Sequence, residues 1–159
     1  MTGKTHLIAG LAAGEAAQYL AGYYPGDPFF LGACLAGAII PDICHSGSKI
    51  GRKLPFLSRI ISLLFGHRTV THSLFFMILA GLAASFFSIS PGIRLGLLVG
   101  IGSHLLLDAA TPQGVSLLWP LPWKVRLPVR TRTGGAAEHG FFVIIVVAAL
   151  FMGWSMYIV

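Results

Sequence analysis

Five long apolar segments, separated by turns that contain proline or glycine, constrain this chain more than any other feature. They cover residues 5–22, 29–43, 70–88, 95–110 and 141–159. About 20 apolar residues can cross the hydrocarbon core of a bilayer, and a chain of this size satisfies its backbone hydrogen bonds there as helices. The pattern therefore predicts an all-α, multi-pass membrane helical bundle with about five transmembrane helices.

The composition indicates that lipid, more than water, surrounds this chain. Of its 159 residues, 55% are hydrophobic and 10% are charged, whereas about a quarter of the residues in soluble domains are charged. Five spans and their loops use the whole length, so we expect residues 1–159 to form a single membrane-embedded domain. His6 and Glu15 lie inside the first segment and favour a retained helix over a signal peptide.

The region between the second and third apolar segments has a different helical pattern. Apolar residues recur there at helical spacing and basic residues accompany them: Leu57, Ile60, Ile61 and Leu64, with Lys49, Arg52, Lys53 and Arg59. This pattern predicts an amphipathic helix lying in the membrane interface. The alternative is an ordinary packed helix between two spans.

Positive charge is concentrated in two long loops. Nine of the eleven Lys and Arg residues lie there, and the second loop carries Trp119 and Trp123 beside basic residues. By the positive-inside rule, both loops and the N-terminus face the cytoplasm, as in a multi-pass protein of the inner (cytoplasmic) membrane. We attribute the net charge of +6 to topology and anionic head groups, and expect membrane lipids but no nucleic acid as partners. No sequence feature predicts an oligomeric state.

This topology places the histidines and most carboxylates on one side of the membrane. The set contains all six histidines and three of the five carboxylates: His6, Asp42, His45, His67, His72, His104, Asp108, Glu138 and His139. Glu15 and Asp27 fall elsewhere, and for Glu15 we favour hydrogen bonding between helices. Clustering at one depth predicts a metal site at the cytoplasmic interface.

The spacing of His104 and Asp108 is the most informative. They are four residues apart, so they share one face of a helix and can reach one cation. Imidazole and carboxylate ligands suit zinc, manganese or iron. An ionised Asp108 in the membrane would cost about 3 kcal/mol, which a metal or Arg68 would offset. The alternative is a plain hydrogen-bonded His–Asp pair that ties helices together.

Three segments carry a resemblance to a known family: PDICH (41–45), GHRTVTHS (66–73) and SHLLLDAATPQGVSLLWP (103–120). With these the chain resembles the LexA-regulated, YdjM-type family of inner-membrane metal-dependent hydrolases, a distant relative of the zinc-dependent phospholipase C and P1-nuclease folds. The resemblance implies one or two divalent ions per chain, with zinc favoured and manganese as the alternative. Its implied ligands are His6, Asp42, His67 or His72, His104 and Asp108, with Glu138 as an additional candidate.

One position departs from the family pattern. Where relatives often carry a second acidic residue in the PD-I/L-D-H segment, this chain has Cys44. If that carboxylate acts in relatives, Cys44 substitutes for it or the site is altered. Cys34 and Cys44 form no CxxC motif, and neither a disulfide framework nor a thiolate zinc site is indicated.

These observations favour metal-assisted hydrolysis of a phosphate ester in a lipid or lipid-linked substrate. Asp42 or Glu138 would accept a proton from the attacking water, and Arg68, with Arg126 or Arg130, would hold the phosphate. The chain has no Gly-x-Ser-x-Gly pattern for a serine nucleophile. Two alternatives remain: a metal ion transporter, and a non-enzymatic membrane protein with a structural metal site or a regulator-binding role.

Overall fold

The structure is a computed structural model that describes residues 1–65 and 69–157. Within these residues it contains seven α-helices: α1 (Gly3–Ala21), α2 (Pro28–Gly37), α3 (Lys49–Lys53), α4 (Pro55–Phe65), α5 (Leu74–Phe86), α6 (Pro91–Ala109) and α7 (Ala136–Tyr157). Two 3₁₀ turns, Ile40–Cys44 and Val70–His72, precede α3 and α5. The described residues form no strand beyond one isolated bridge between Val115 and Val125. The predicted all-α class is confirmed.

All five apolar segments contain a helix, but several helix ends differ from the predicted ones. The second segment stops being α-helical at Gly37 and continues as the turn Ile40–Cys44. Pro41 explains this end, because proline lacks a backbone N–H and disfavours helix at the preceding residue. The helix α5 begins at Leu74 rather than at residue 70, because the hydroxyl of Ser73 caps it by accepting from the N–H of Phe76.

Two of the described helices are long and apolar enough to cross a membrane, at Pro91–Ala109 and Ala136–Met156. The apolar helices Pro28–Cys44 and Leu74–Phe86 are shorter. The count of five spans is therefore not confirmed. The second of the long helices presents large apolar side chains outward, as a lipid-facing helix does: Val143, Ile144, Val147, Leu150, Phe151 and Trp154.

Helix α6 forms the centre of the molecule and packs against α1, α2 and α5. Its contact with α2 is made by glycines, since a Cβ added at Gly96 or Gly100 would collide with the carbonyl oxygen of Phe30 or Cys34. Gly37 of α2 likewise lies against the α6 backbone. Small residues let two helix backbones approach this closely. The row of α6 residues four apart then continues from Gly100 to His104 and Asp108, so the same contact positions the polar residues.

The predicted amphipathic segment forms two helices, because Pro55 starts a new helix, α4, after α3. The outer surface of α4 is apolar, with Phe56 and Leu63 each 79% exposed. This surface agrees with the predicted helix in the membrane interface. The long second loop has no helix among residues 111–135, which contain four prolines. It returns to the end of α6, where the N–H groups of Leu127 and Thr131 donate to the carbonyls of Ala109 and Ala110.

Candidate metal centre

Four separate parts of the chain bring their polar side chains to one point at the end of α6. We call this the His/Asp cluster, and its members are His6 of α1, Asp42 of the first 3₁₀ turn, His72 of the second 3₁₀ turn, and His104 and Asp108 of α6. The three imidazoles and Asp108 are buried. The side chain of Asp42 is 20% exposed, so this carboxylate forms the edge of the cluster that faces outward.

Asp108 is the centre of the cluster, because its two oxygens contact three imidazoles. Its Oδ1 lies 3.4 Å from Nε2 of His6, and its Oδ2 lies 3.2 Å from Nε2 of His72. The same Oδ2 is 3.6 Å from Nε2 of His104. Oδ1 also accepts a hydrogen bond of 3.1 Å from the amino group of Met1. A buried carboxylate is stabilised only by such dense polar contact.

The ligand atoms of the cluster lie close enough together to bind one shared metal ion. His72 and His104 bring their Nε2 atoms to 3.2 Å, and Asp42 Oδ1 lies 3.9 and 3.8 Å from them. In a tetrahedral site with zinc–nitrogen bonds of about 2.0–2.1 Å, neighbouring ligand atoms lie roughly 3.3–3.4 Å apart. Two overlapping triads have ligand atoms that all lie within 4.8 Å of one another: His6, His104 and Asp108, and Asp42, His72 and His104.

The outer contacts of two imidazoles orient their Nε2 atoms toward the cluster. The Nδ1 atom of His104 lies 2.7 Å from the carbonyl oxygen of Ala38 and donates to it. Nδ1 of His72 is 3.0 Å from the hydroxyl of Thr71. His6 stacks on the His104 ring with centroids 3.8 Å apart. A ligating histidine typically has such a partner on its other nitrogen, because that bond fixes the tautomer and the ring orientation.

The carboxylate of Asp108 favours a proton on His72. His72 lies on the turn before α5, outside the two helices of spanning length. Burial by itself would lower its pKa, but the hydrogen bonds to Asp108 and Cys44 outweigh burial and raise the pKa to about 9. In the absence of a metal, a proton on His72 therefore balances part of the carboxylate charge at neutral pH. A divalent ion would displace that proton.

Glu138 lies beside the cluster and is occupied by other partners. Its Oε1 accepts hydrogen bonds of 2.6 Å from the N–H of Thr2 and the hydroxyl of Thr5, and its Oε2 accepts one of 2.6 Å from the N–H of Gly134. These contacts tie the start of α1 to the start of α7. The geometry favours an anchoring role for this residue over the predicted base or ligand role.

We expect Glu138→Ala to lower the free energy of unfolding by about 1–3 kcal/mol, because it leaves the buried hydroxyl of Thr5 and the partly buried N–H groups of Thr2 and Gly134 without their acceptor. Thermal unfolding of the purified protein measures this change. Glu138→Gln keeps the side-chain volume and one acceptor oxygen, and should fall between the alanine variant and the unchanged protein. An unchanged unfolding temperature combined with lost activity would instead assign Glu138 the catalytic role.

A cavity of about 530 Å³ opens beside Asp42 at the exposed edge of the cluster. Three cations line this basic mouth, Lys4, Lys49 and Arg52, together with His45 and His139. The sequence placed these three cations at the membrane interface and did not assign them to the site. Their positions in the sequence could have indicated this role, because Lys4 lies two residues before His6, and Lys49 and Arg52 follow the PDICH segment.

The remaining residues that the sequence predicted for the site lie outside the cluster or outside the described residues. His67 and Arg68 lie outside the described residues, so their predicted roles remain untested. Arg126 and Arg130 are exposed on the second loop, and neither lines the basic mouth. Cys44 is buried, with its sulfur 3.9 Å from Nδ1 of His72. It therefore contacts the outer nitrogen of that ring, on the side away from the ligand atoms.

Comparison with known proteins gives one family over the full length. Residues 1–159 match the family described as YdjM inner membrane protein. A Bacillus subtilis (strain 168) relative, "Uncharacterized protein YvsG", is 49% identical over 140 residues, which is 87% of this chain and 86% of the relative. The "Inner membrane protein YdjM" of Escherichia coli (strain K12) is 32% identical over 167 residues, covering 99% of this chain and 82% of the relative. No solved structure matches the chain.

Proposed function

This chain belongs to the YdjM inner membrane protein family, and on that premise we propose that it is a membrane-bound, metal-dependent hydrolase. Its substrate would be a phosphate ester of a lipid or of a lipid-linked molecule. The single observation that carries the proposal is the His/Asp cluster, in which three imidazoles and two carboxylates converge at ligand spacing next to a basic mouth. Perturbed, buried groups beside a cavity are typical of active sites.

The cluster supplies ligands for one or two ions. His6, His104 and Asp108 would hold one ion, and His72 and Asp42 would complete that site or, with His104, hold a second ion. The nitrogen and oxygen ligands favour zinc, with manganese as the alternative. When bound, a divalent ion supplies positive charge that lowers the pKa of water and polarises a phosphoryl oxygen.

The residues around the cluster would then perform the proton and phosphate steps. Asp42 is the one partly exposed carboxylate of the cluster, and it would accept the proton of the attacking water. Lys4, Lys49 and Arg52 would hold the phosphate in the basic mouth by charge-assisted hydrogen bonds. Arg68 keeps its predicted role in phosphate binding, because its place in the sequence next to His67 supports it.

The membrane arrangement belongs to the same proposal. We propose five spans, with the N-terminus and the His/Asp cluster on the cytoplasmic side, and the positive-inside distribution of Lys and Arg supports this orientation. A site at that depth suits a substrate whose head group is polar and whose tail stays in the bilayer. Family membership supports a location in the cell membrane.

We expect the purified, metal-loaded protein to release inorganic phosphate or a phosphorylated head group from at least one lipid phosphate. Asp42→Asn should lower this rate about 10²–10⁴-fold, the usual contribution of a general base, and Asp27→Asn at the start of α2 should leave it unchanged. Release would be followed with a panel of anionic phospholipids and long-chain alkyl phosphates. Stoichiometric metal without hydrolysis of any panel member would favour the structural metal site over the enzyme.

A further inference from the structure

Four neighbouring cavities share lining residues and follow one another from the basic mouth toward the apolar outer surface of α7. A second cavity shares Thr2, Lys4 and His139 with the mouth, and a third shares Lys4 and Phe142 with the second. A fourth, of about 400 Å³, shares Ile8 and Leu11 with the third and reaches Glu15. The polar site and the apolar surface are therefore connected along one path.

This path follows the contact between α1 and α7, and Leu35 of α2 also lines its third cavity. The N-termini of both helices lie together, because Thr5 donates to Glu138, so the helices run in parallel away from the cluster. On α1 the lining residues recur at helical spacing, and on α7 they do the same: Lys4, Ile8, Leu11 and Glu15, and Phe142, Val146, Leu150 and Gly153. We call this path the α1–α7 furrow.

We propose that the α1–α7 furrow binds one hydrocarbon chain of an anionic phosphate lipid whose head group lies in the basic mouth. The inference rests on the proposed function and adds to it where the tail of the substrate lies. Charge identifies the occupant, because the mouth offers Lys4, Lys49 and Arg52 to an anion. The second cavity still contains Thr5 and Glu138, whereas the third and fourth cavities are apolar between Lys4 and Glu15. A molecule with a phosphate at one end and an alkyl chain at the other matches this order.

The length of the furrow also fits. From Lys4 to Glu15 an α-helix rises about 16 Å, which is close to half of the ~30 Å hydrocarbon core and thus to one lipid chain of one leaflet. The furrow ends at Glu15, on the side away from the basic mouth. The Oε1 atom of Glu15 lies 3.2 Å from the point that a Cβ of Gly153 would occupy, and its buried Oε2 has no hydrogen-bond partner within the described part of the chain. A carboxyl group left without a hydrogen bond disfavours hydrocarbon contact.

The test uses hexadecyl phosphate with a photoreactive diazirine near the end of its chain, added to the full-length protein in detergent. We expect cross-links at Leu11 and Val146, which line the furrow and are only partly exposed, above those at the lipid-facing residues Val143 and Val147. The cross-links would be mapped by mass spectrometry. Unlabelled hexadecyl phosphate should compete at least ~10-fold better than hexadecyltrimethylammonium, the factor that one charge-assisted hydrogen bond supplies. Butyl phosphate should not reduce the labelling.

Two glycines of α7 provide matched variants. Gly153→Leu fills the furrow beside Glu15 and should remove the cross-links, whereas Gly140→Leu enters open space and should retain them. Two results with the unmodified protein would each overturn the inference. One is equal labelling over the whole outer face of α7, and the other is equal competition by hexadecyl phosphate and hexadecyltrimethylammonium. Occupancy is read without turnover, so cross-linking without phosphate release contradicts only the hydrolase proposal. Phosphate release without this pattern contradicts only the furrow.

Discussion

Asp108→Ala is expected to reduce bound metal from near-stoichiometric to background in the purified protein. Both oxygens of Asp108 contact imidazoles of the His/Asp cluster, at 3.4 Å from His6 and 3.2 Å from His72. Its loss removes a ligand and leaves the histidines without the negative charge that favours a cation. The affinity should therefore fall by more than the roughly 10–100-fold that the loss of an outer-sphere partner costs. Elemental analysis after incubation with zinc or manganese measures the effect, and His104→Ala should give the same result.

Asp27→Ala is the matched control for that experiment. Asp27 is also a carboxylate, but it caps α2 by accepting from the N–H groups of Phe29 and Phe30. Its removal should cost about 1 kcal/mol of stability and leave the metal content unchanged. An Asp108→Ala protein that binds as much metal as the unchanged protein would show that Asp108 does not hold the metal. No bound metal in any sample, even after incubation with zinc or manganese, would leave the cluster as a hydrogen-bonded clamp between helices. The hydrolase mechanism would then have no metal to use.

Two glycines of α6 should respond to the same substitution in opposite directions. Gly100→Ala places a Cβ against the carbonyl oxygen of Cys34 and 2.8 Å from the backbone nitrogen of Ala38. Because these are backbone atoms, α2 must move, and we expect a loss of about 1–3 kcal/mol or more. The same movement displaces Ala38, whose carbonyl orients His104, so metal affinity should fall as well.

Gly102→Ala is the control, because a Cβ there meets no atom within 4 Å. Alanine is about 1 kcal/mol more favourable than glycine inside a helix, so this variant should unfold at a slightly higher temperature and keep its metal. Thermal unfolding and metal content, measured in parallel, distinguish the two positions. If both variants behave alike, the close contact between α2 and α6 does not position the cluster.

The helices and part of the cluster could be predicted because they depend on neighbours in sequence. Apolar runs identified all five apolar helices, and the four-residue spacing identified His104 and Asp108 as a pair on one face. Proline and serine shifted several helix ends, and in each case the responsible residue was visible: Pro41 ends α2, and Ser73 starts α5. The row of glycines that continues into His104 was also visible, but helix spacing alone does not indicate which partner helix it contacts.

The sequence by itself determined the all-α class, the membrane character and the set of residues from which a site could be built, because hydropathy and helical periodicity are local properties. Only the tertiary structure decided which of those residues meet. It brings together His6 and Asp108, which are 102 positions apart. It also places the carboxylate of Glu138 in hydrogen bonds with Thr2 and Gly134, outside the cluster. Such choices depend on how closely α1, α2 and α6 pack, and that packing comes from contacts between glycine backbones and neighbouring helices far apart in the chain.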